Sequence, residues 1–344
     1  MIGEIAPRRL DEAPPLAGAP TRPLPLDGTA TSARLGRFWR DLQASVGTAV
    51  VGDALSLRLL AVALLADGHA LIEDVPGVGK TLLARAFARS LSLGFARVQG
   101  TPDLLPTDVT GASILEGGRL RFVPGPIFTN VLLVDEINRA TPRTQSALLE
   151  AMQERQVSVD GESKPLDDPF LVVATQNPVE LEGTFSLPEA QLDRFLVQIA
   201  MGYPGRDEER RIARRYRGGA EPLARVEPVV DNPTLVALRR SVSDVHVSEA
   251  VEGYAVDLVR ATREHRDLRL GASPRASVAL YRASQAWAAL EGRGFVLPDD
   301  VAAVARPVLG HRLRLDVDRQ MRGATMDRVL DEVLAAVAVP LAPA

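Results

Sequence analysis

Along the chain, apolar positions fall into runs whose length and period separate helices from strands. Leu55–Leu65 is apolar over a helical length and is followed by Gly68, a helix stop signal. His69–Ile72 is a short continuous apolar run suited to a buried strand, and Thr81–Leu91 again reads as a helix. Val131–Val134 and Phe170–Ala174 are two further uninterrupted apolar runs that close on polar residues. Uninterrupted apolar strands alternating with helices predict a doubly wound α/β core, a parallel sheet covered on both faces. Beyond Tyr203-Pro204-Gly205 the strand signals fade. Helices are expected around Arg206–Arg217, Pro233–Ser241, Ser248–Glu264, Pro274–Glu291 and Asp299–Val308, which together make a second, all-helical domain. Residues 1–30 hold six prolines and no apolar period, which predicts a disordered tail. The expected division is therefore a tail over 1–30, an α/β core over 31–204 and a helical domain over 205–344.

Three candidate chemical elements sit at the ends of these strands. The stretch Glu73-Asp74-Val75-Pro76-Gly77-Val78-Gly79-Lys80-Thr81 follows a strand and opens a helix, the context of a phosphate-binding loop. In that reading the backbone from Pro76 through Gly77, Val78 and Gly79 into Lys80, Thr81 and Leu82 wraps the phosphates of a nucleotide. Lys80 reaches the β- and γ-phosphates, and Thr81 ligates Mg²⁺. Asp74 stands where the general pattern has glycine, and a Gly-rich strand-to-helix turn is the plainer alternative. Next, Val131-Leu132-Leu133-Val134 runs into Asp135-Glu136: Asp135 would hold the Mg²⁺ shell, and Glu136 would orient and deprotonate the attacking water. Finally, Asn177 follows the Phe170–Ala174 strand, where it can touch the γ-phosphate or the water; alternatively, Asn177-Pro178 merely starts a turn.

Composition narrows the classes. The 344 residues include no cysteine, which removes disulfides, zinc-thiolate sites and a thiol nucleophile. The longest apolar runs, Leu59–Ala66 and Val333–Val339, fall short of the ~20 residues of a membrane helix. The N-terminus lacks the apolar stretch of a signal peptide, so a cytoplasmic protein that does not span a membrane is expected. A net charge of −4 with 4% aromatic residues argues against a nucleic-acid partner. Lysine occurs only at Lys80 and Lys164, arginine supplying the rest of the positive charge, which singles out Lys80.

Taken together, these residues resemble the AAA+ ATPases and, within them, the MoxR family, over about Val50 to Leu315. The most specific stretches are R-V-Q-G-T-P-D-L-L-P-T-D at 97–108, F-V-P-G-P-I-F at 122–128 and V-D-E-I-N-R-A at 134–140. To these are added A-T-Q-N-P at 174–178, L-P-E-A-Q-L-D-R-F at 187–195 and G-A-S-P-R at 271–275. The family's own loop often carries an acid where Asp74 stands. A bulkier residue is usual at Gly100, and Gln at Asp53. The resemblance implies an AAA+ core with a helical lid and adenine contacts from Val51 and Gly52. It further implies Arg194 as an arginine finger reaching a neighbour's γ-phosphate, and Arg275 as the second sensor on a lid helix. Read from the residues alone, Arg194 is a surface ion-pair partner and Arg275 an ordinary first-turn arginine. Arg139 is either a trans-acting group or a solvated one. Two β-hairpins are expected, one around Gly117-Gly118 and one at Asp160-Gly161. By resemblance they are family inserts, and on their own they are surface hairpins.

The activity implied is ATP hydrolysis by a homo-hexameric ring that remodels a protein client, with proteins carrying von Willebrand factor A domains as candidate partners. A finger that acts in trans requires a head-to-tail interface, which closes into a ring. A magnesium-chelatase-like motor is the alternative. A nucleic-acid translocase is disfavoured by charge, and a nucleotide-locked scaffold by the presence of Glu136, Asn177 and Arg194 together.

Overall fold

The computed structural model describes residues 28–52, 54–73, 77–177, 184–215 and 221–340. The Pro-rich stretch up to residue 27 lies outside the described residues, as do Asp53 and Pro76. In chain order, α1 (Gly28–Gly47) and α2 (Ala54–Leu65) precede β1 (Ala70–Glu73), α3 (Lys80–Ser90), β2 (Phe95–Gln99) and α4 (Pro106–Thr110). The hairpin β3 (Gly111–Glu116) and β4 (Arg119–Pro124) follows, then β5 (Val131–Asp135), α5 (Pro142–Glu154) and the hairpin β6 (Gln156–Val159) and β7 (Glu162–Pro165). The core closes with β8 (Leu171–Gln176), α6 (Glu189–Leu192) and β9 (Val197–Ile199). The remainder comprises α7 (Arg206–Arg215), α8 (Asn232–Ser241), α9 (Glu249–Glu264), β10 (Leu268–Leu270), α10 (Pro274–Leu290), α11 (Pro298–Leu309), β11 (Arg314–Leu315), α12 (Val317–Met321) and α13 (Met326–Ala336).

Five strands form one parallel sheet in the order β2-β5-β8-β1-β9. Side chains alternate between its faces, and the faces feed two apolar clusters. Ile72, Leu133 and Val173 point into the cluster that contains α1, α2 and α3. Leu71, Leu132, Val134 and Val172 point into the other, with Leu148, Leu149 and Met152 of α5. The expected doubly wound core is therefore present. Its two edge strands went unread in the sequence for a physical reason: of β2 only Val98 is buried, and β9 is three residues long. Neither produces a continuous apolar run.

The first cluster continues into the lid, taking in Leu258, Ala283, Leu290 and Val304 of α9, α10 and α11. α1 joins core to lid, and its Gly36 lies so close to Gly292 that a Cβ there would stand 3.0 Å from the Gly292 Cα. The lid is not purely helical, as the sequence suggested: β10 and β11 pair antiparallel. Both anticipated hairpins form. Their turns at Gly117-Gly118 and Asp160-Gly161 each place two successive residues at positive φ, the backbone that tight hairpins require. No described helix is long and apolar enough to cross a membrane.

Candidate functional site

Strands β5, β8 and β1 are neighbours and parallel, so the segments leaving their C-terminal ends open on one rim of the sheet. Gly77 and Gly79 follow β1 with φ of 86° and 94°. A Cβ at either would meet nothing within 4 Å, so the positive φ alone calls for glycine. Lys80 is the first residue of α3. No side chain caps this helix, and no acid occupies its first turn. Its leading N–H groups and the positive end of its dipole therefore face the rim, a seat for an anion.

Across from this helix start stand the two acids. Asp135 Oδ1 accepts from the Thr175 hydroxyl at 3.1 Å, and its Oδ2 accepts from Arg97 Nε at 2.7 Å. Glu136 leaves the strand in a left-handed conformation, φ 54°, which for a non-glycine residue costs about 1–3 kcal/mol and here turns its carboxylate toward the cleft. Its N–H donates to Thr175 Oγ1 at 2.9 Å, so the one buried hydroxyl of Thr175 orients both acids. The Glu136 carboxylate also accepts from Gln99 Nε2 at 2.9 Å and from Arg139 at 3.3 Å. Gly100 is built into this geometry: its N–H donates to the Asp135 carbonyl at 2.7 Å, and a Cβ would fall 2.2 Å from the Glu136 carbonyl oxygen. Any larger side chain at this position requires the backbone around Glu136 to shift.

Together these residues enclose a cleft of about 410 Å³, with Gly77, Gly79, Lys80, Thr81 and Leu82 on one side and Asp135, Glu136 and Asn177 on the other. A larger cavity of about 650 Å³ shares Gln176 and Asn177 with it and runs toward Arg306 and Arg314 of the lid. The chemistry belongs to the smaller cleft, which holds the lysine, the helix start and both acids.

Val78 sits in the loop between Gly77 and Gly79 without lining the cleft, and the other expected residues lie elsewhere. Val51, Gly52, Val78, Arg194 and Arg275 are not among the cleft's described lining residues. Gly52, just before α2, has φ 91°, and a Cβ there would stand 3.0 Å from the Glu208 carboxylate. Arg194 lies between α6 and β9, and the chain reaches β9 through the Leu196 N–H bonded to the His69 carbonyl at 2.8 Å. His69 adjoins the N-terminal end of β1, so Arg194 and the phosphate loop lie at opposite ends of the same strands. The four residues of β1 alone span about 13 Å at ~3.3 Å each. Arg275, exposed in the first turn of α10, shares the Arg194 end: the Ser273 hydroxyl accepts from its N–H at 3.2 Å and donates to Asp193, next to Arg194, at 3.0 Å. Sequence reading missed Thr175, Arg97 and Gln99 as individual contributors. All three fall inside quoted motifs, but nothing in the residue types says which acid they touch.

A parallel sheet with a glycine loop, a lysine at a bare helix start and two strand-end acids, joined to a helical lid, defines a P-loop ATPase of the AAA+ class. Comparison with known proteins agrees. The profile of the ATPase family associated with various cellular activities (AAA) matches residues 69–197, and that of the AAA lid domain matches residues 260–333. The chain is 46% identical to the uncharacterized protein YeaC of Bacillus subtilis, covering 88% of this chain and 98% of that one. It is 44% identical to the chaperone MoxR1 of Mycobacterium tuberculosis, over 85% of this chain and 79% of that one. A crystal structure of a candidate ATPase from Cytophaga hutchinsonii superposes with a TM-score of 0.85 at 37% identity, covering 91% and 98% of the two chains. The chain belongs to the MoxR family of AAA+ ATPases.

Proposed function

We propose that this chain is the subunit of a cytoplasmic homo-hexameric ATPase that couples ATP hydrolysis to the remodelling of a protein client, with core 31–204 and lid 205–344. One observation supports the reading: Arg194 precedes β9 at the end of the sheet away from the phosphate loop, with the Arg275 helix start beside it, as expected of a site completed by a second chain. In this reading the α3 start and Lys80 bind the β- and γ-phosphates, while Val51 and Gly52 approach the adenine. Glu136 takes the proton of the attacking water at its carboxylate, and Asn177 orients that water. Arg194, from the adjoining subunit, neutralises charge developing on the transferred phosphoryl group, and Arg275 assists from the same face.

The Thr81 hydroxyl and the Asp135 carboxylate are hard oxygen donors that fit Mg²⁺. When bound, the cation would neutralise charge on the phosphate groups beside them. Thr175 and Arg97 orient Asp135 for it. The β3–β4 hairpin supports a client-facing role: its paired tip residues Leu115 and Leu120 are 74% and 73% exposed. A protein carrying a von Willebrand factor A domain is the candidate client, and no nucleic acid is expected.

The test is ATP turnover by the purified chain alongside its mass in solution. Mg²⁺-dependent hydrolysis by a hexamer, and retention of a protein partner by the Glu136→Gln chain loaded with ATP, are the expected results. Full turnover by an isolated monomer would contradict the reading.

A further inference from the structure

The Arg194 segment and the lid meet at one carboxylate. Asp193 follows α6, and its Oδ1 accepts from Arg312 Nε at 2.8 Å. The Arg312 side chain is only 4% exposed, and the remaining nitrogens of its guanidinium do not face water. One terminal nitrogen donates to the carbonyls of Asp193 at 3.4 Å and Phe195 at 2.6 Å; the other donates to Leu196 at 3.1 Å. A single lid guanidinium therefore grips the backbone on both sides of Arg194. The second carboxylate oxygen of Asp193 accepts from the Ser273 hydroxyl, the same group that caps α10 through the Arg275 N–H.

Arg194 itself has no comparable tether at its Nε, which is buried and has no hydrogen-bond partner among the described residues. The hydrogen bonds to the carbonyls of Asp193 and Phe195 instead fix the backbone on which it stands. A buried ion pair whose remaining donors are met by carbonyls is directional and tolerates little displacement. The contacts of Glu189 with Arg314 at 3.5 Å and Arg269 at 3.9 Å tie α6 to the same part of the lid, but they are exposed and hold it less firmly.

We propose that Asp193, with Arg312 and Ser273, is a positioning clasp that makes Arg194 and the start of α10 one body, so that lid movement in one subunit resets the arginine offered to the next. The proposal rests on the trans role of Arg194 given above, and it adds the device by which one site informs its neighbour. Asp193 and Ser273 touch no nucleotide in this scheme. They act through Arg194 and Arg275.

The test uses full-length chains carrying Asp193→Asn or Ser273→Ala, with Ser248→Ala as a control. Ser248 caps α9 and lies outside the clasp. Asp193→Asn leaves a buried guanidinium without its counter-charge and can fail to fold; Ser273→Ala keeps that pair and then decides alone. The clasp predicts parental ATP affinity by calorimetry and an unchanged KM, with kcat lowered on the order of 10–10²-fold, as expected for a misplaced group. Ser273→Thr should restore the rate, and Ser248→Ala should leave it unchanged. Because the defect is carried in trans, mixing either variant with Lys80→Ala chains should recover turnover, as it should for Arg194→Ala. Parental kcat in Ser273→Ala overturns the clasp. So does a loss that mixing fails to recover while Arg194→Ala does recover, because Asp193 would then serve only its own chain's fold. If Arg194→Ala fails to recover as well, the trans reading falls and takes the clasp with it.

Discussion

The two ends of strand β1 carry different kinds of chemistry. At the C-terminal end the groups are local: Gly77, Gly79 and Lys80 follow β1 within a few residues, Asp135 closes β5 and Glu136 is the residue after it. At the N-terminal end, Asp193 is held by Arg312, 119 residues away, and by Ser273, 80 residues away. The first end is built from backbone direction and a helix start, which short motifs encode. The second is built from packing between core and lid, which no spacing encodes. The difference suggests a division of labour, in which one end binds and reacts while the other reports on the lid.

The largest effect expected of any substitution is at the first end. Lys80→Ala should abolish ATP binding by calorimetry, because the only other lysine, Lys164, lies on the β6–β7 hairpin and cannot replace the charge. Arg194→Ala, by contrast, should bind ATP normally. Near-parental affinity in Lys80→Ala would erase the distinction between the ends. Glu136→Gln should keep binding and lose on the order of 10²–10⁴ in turnover, since the amide is nearly isosteric but cannot accept the proton. Close-to-parental hydrolysis would move the base elsewhere.

A smaller effect is expected at Gly100. A methyl there collides with the Glu136 carbonyl, so Gly100→Ala should lower stability by about 1–3 kcal/mol in thermal unfolding and reduce turnover by displacing Glu136. Unchanged values for both would mean that the backbone around the acids yields easily.

A further effect concerns pH rather than turnover and belongs to the second end. His69, whose carbonyl receives Leu196, is buried beside Arg155, and burial and that charge lower its pKa from 6.5 to about 3. His311 is lowered in the same direction by burial and by Arg312. Both histidines are neutral in the fold, so the unfolded chain binds more protons below pH 6.5. Stability is then fully present above that pH and declines as pH falls, by up to about 1.4 kcal/mol per histidine per pH unit. Melting temperature followed from pH 7.5 to 5 reads this out, and His69→Gln should flatten the slope. An equal slope in that variant would assign the effect to other groups.

How much of this was legible follows the same division. Apolar runs gave β1, β5 and β8 to within about a residue or two of their observed ends, because buried parallel strands are apolar on both faces. The edge strands β2 and β9 have no such signature. α1 carries only a spaced stripe, Leu35, Phe38, Trp39, Leu42 and Val46, broken by Arg34, Arg37 and Arg40, and so lacks the uninterrupted apolar run that marks α2. The acids at 135 and 136 were readable from their position after a strand, whereas the Thr175 hydroxyl that orients both depends on β5–β8 pairing. Arg194 could be picked out by resemblance alone. Its separation from the phosphate loop depends on β9 running parallel to β1, which no motif encodes.

The central claim, that the cleft of one chain is completed by the arginine end of another, has a direct measurement. Arg194→Ala chains keep a sound phosphate loop, and Lys80→Ala chains keep a sound arginine. Each alone should be nearly inactive, the former by a factor on the order of 10³–10⁵ if Arg194 acts like other fingers. Co-assembly is first verified by pull-down of differently tagged chains, and ATP turnover is then followed across mixing ratios. The account predicts a maximum at intermediate ratios, where good loops face good arginines. Verified mixed rings with no recovery at any ratio would contradict it.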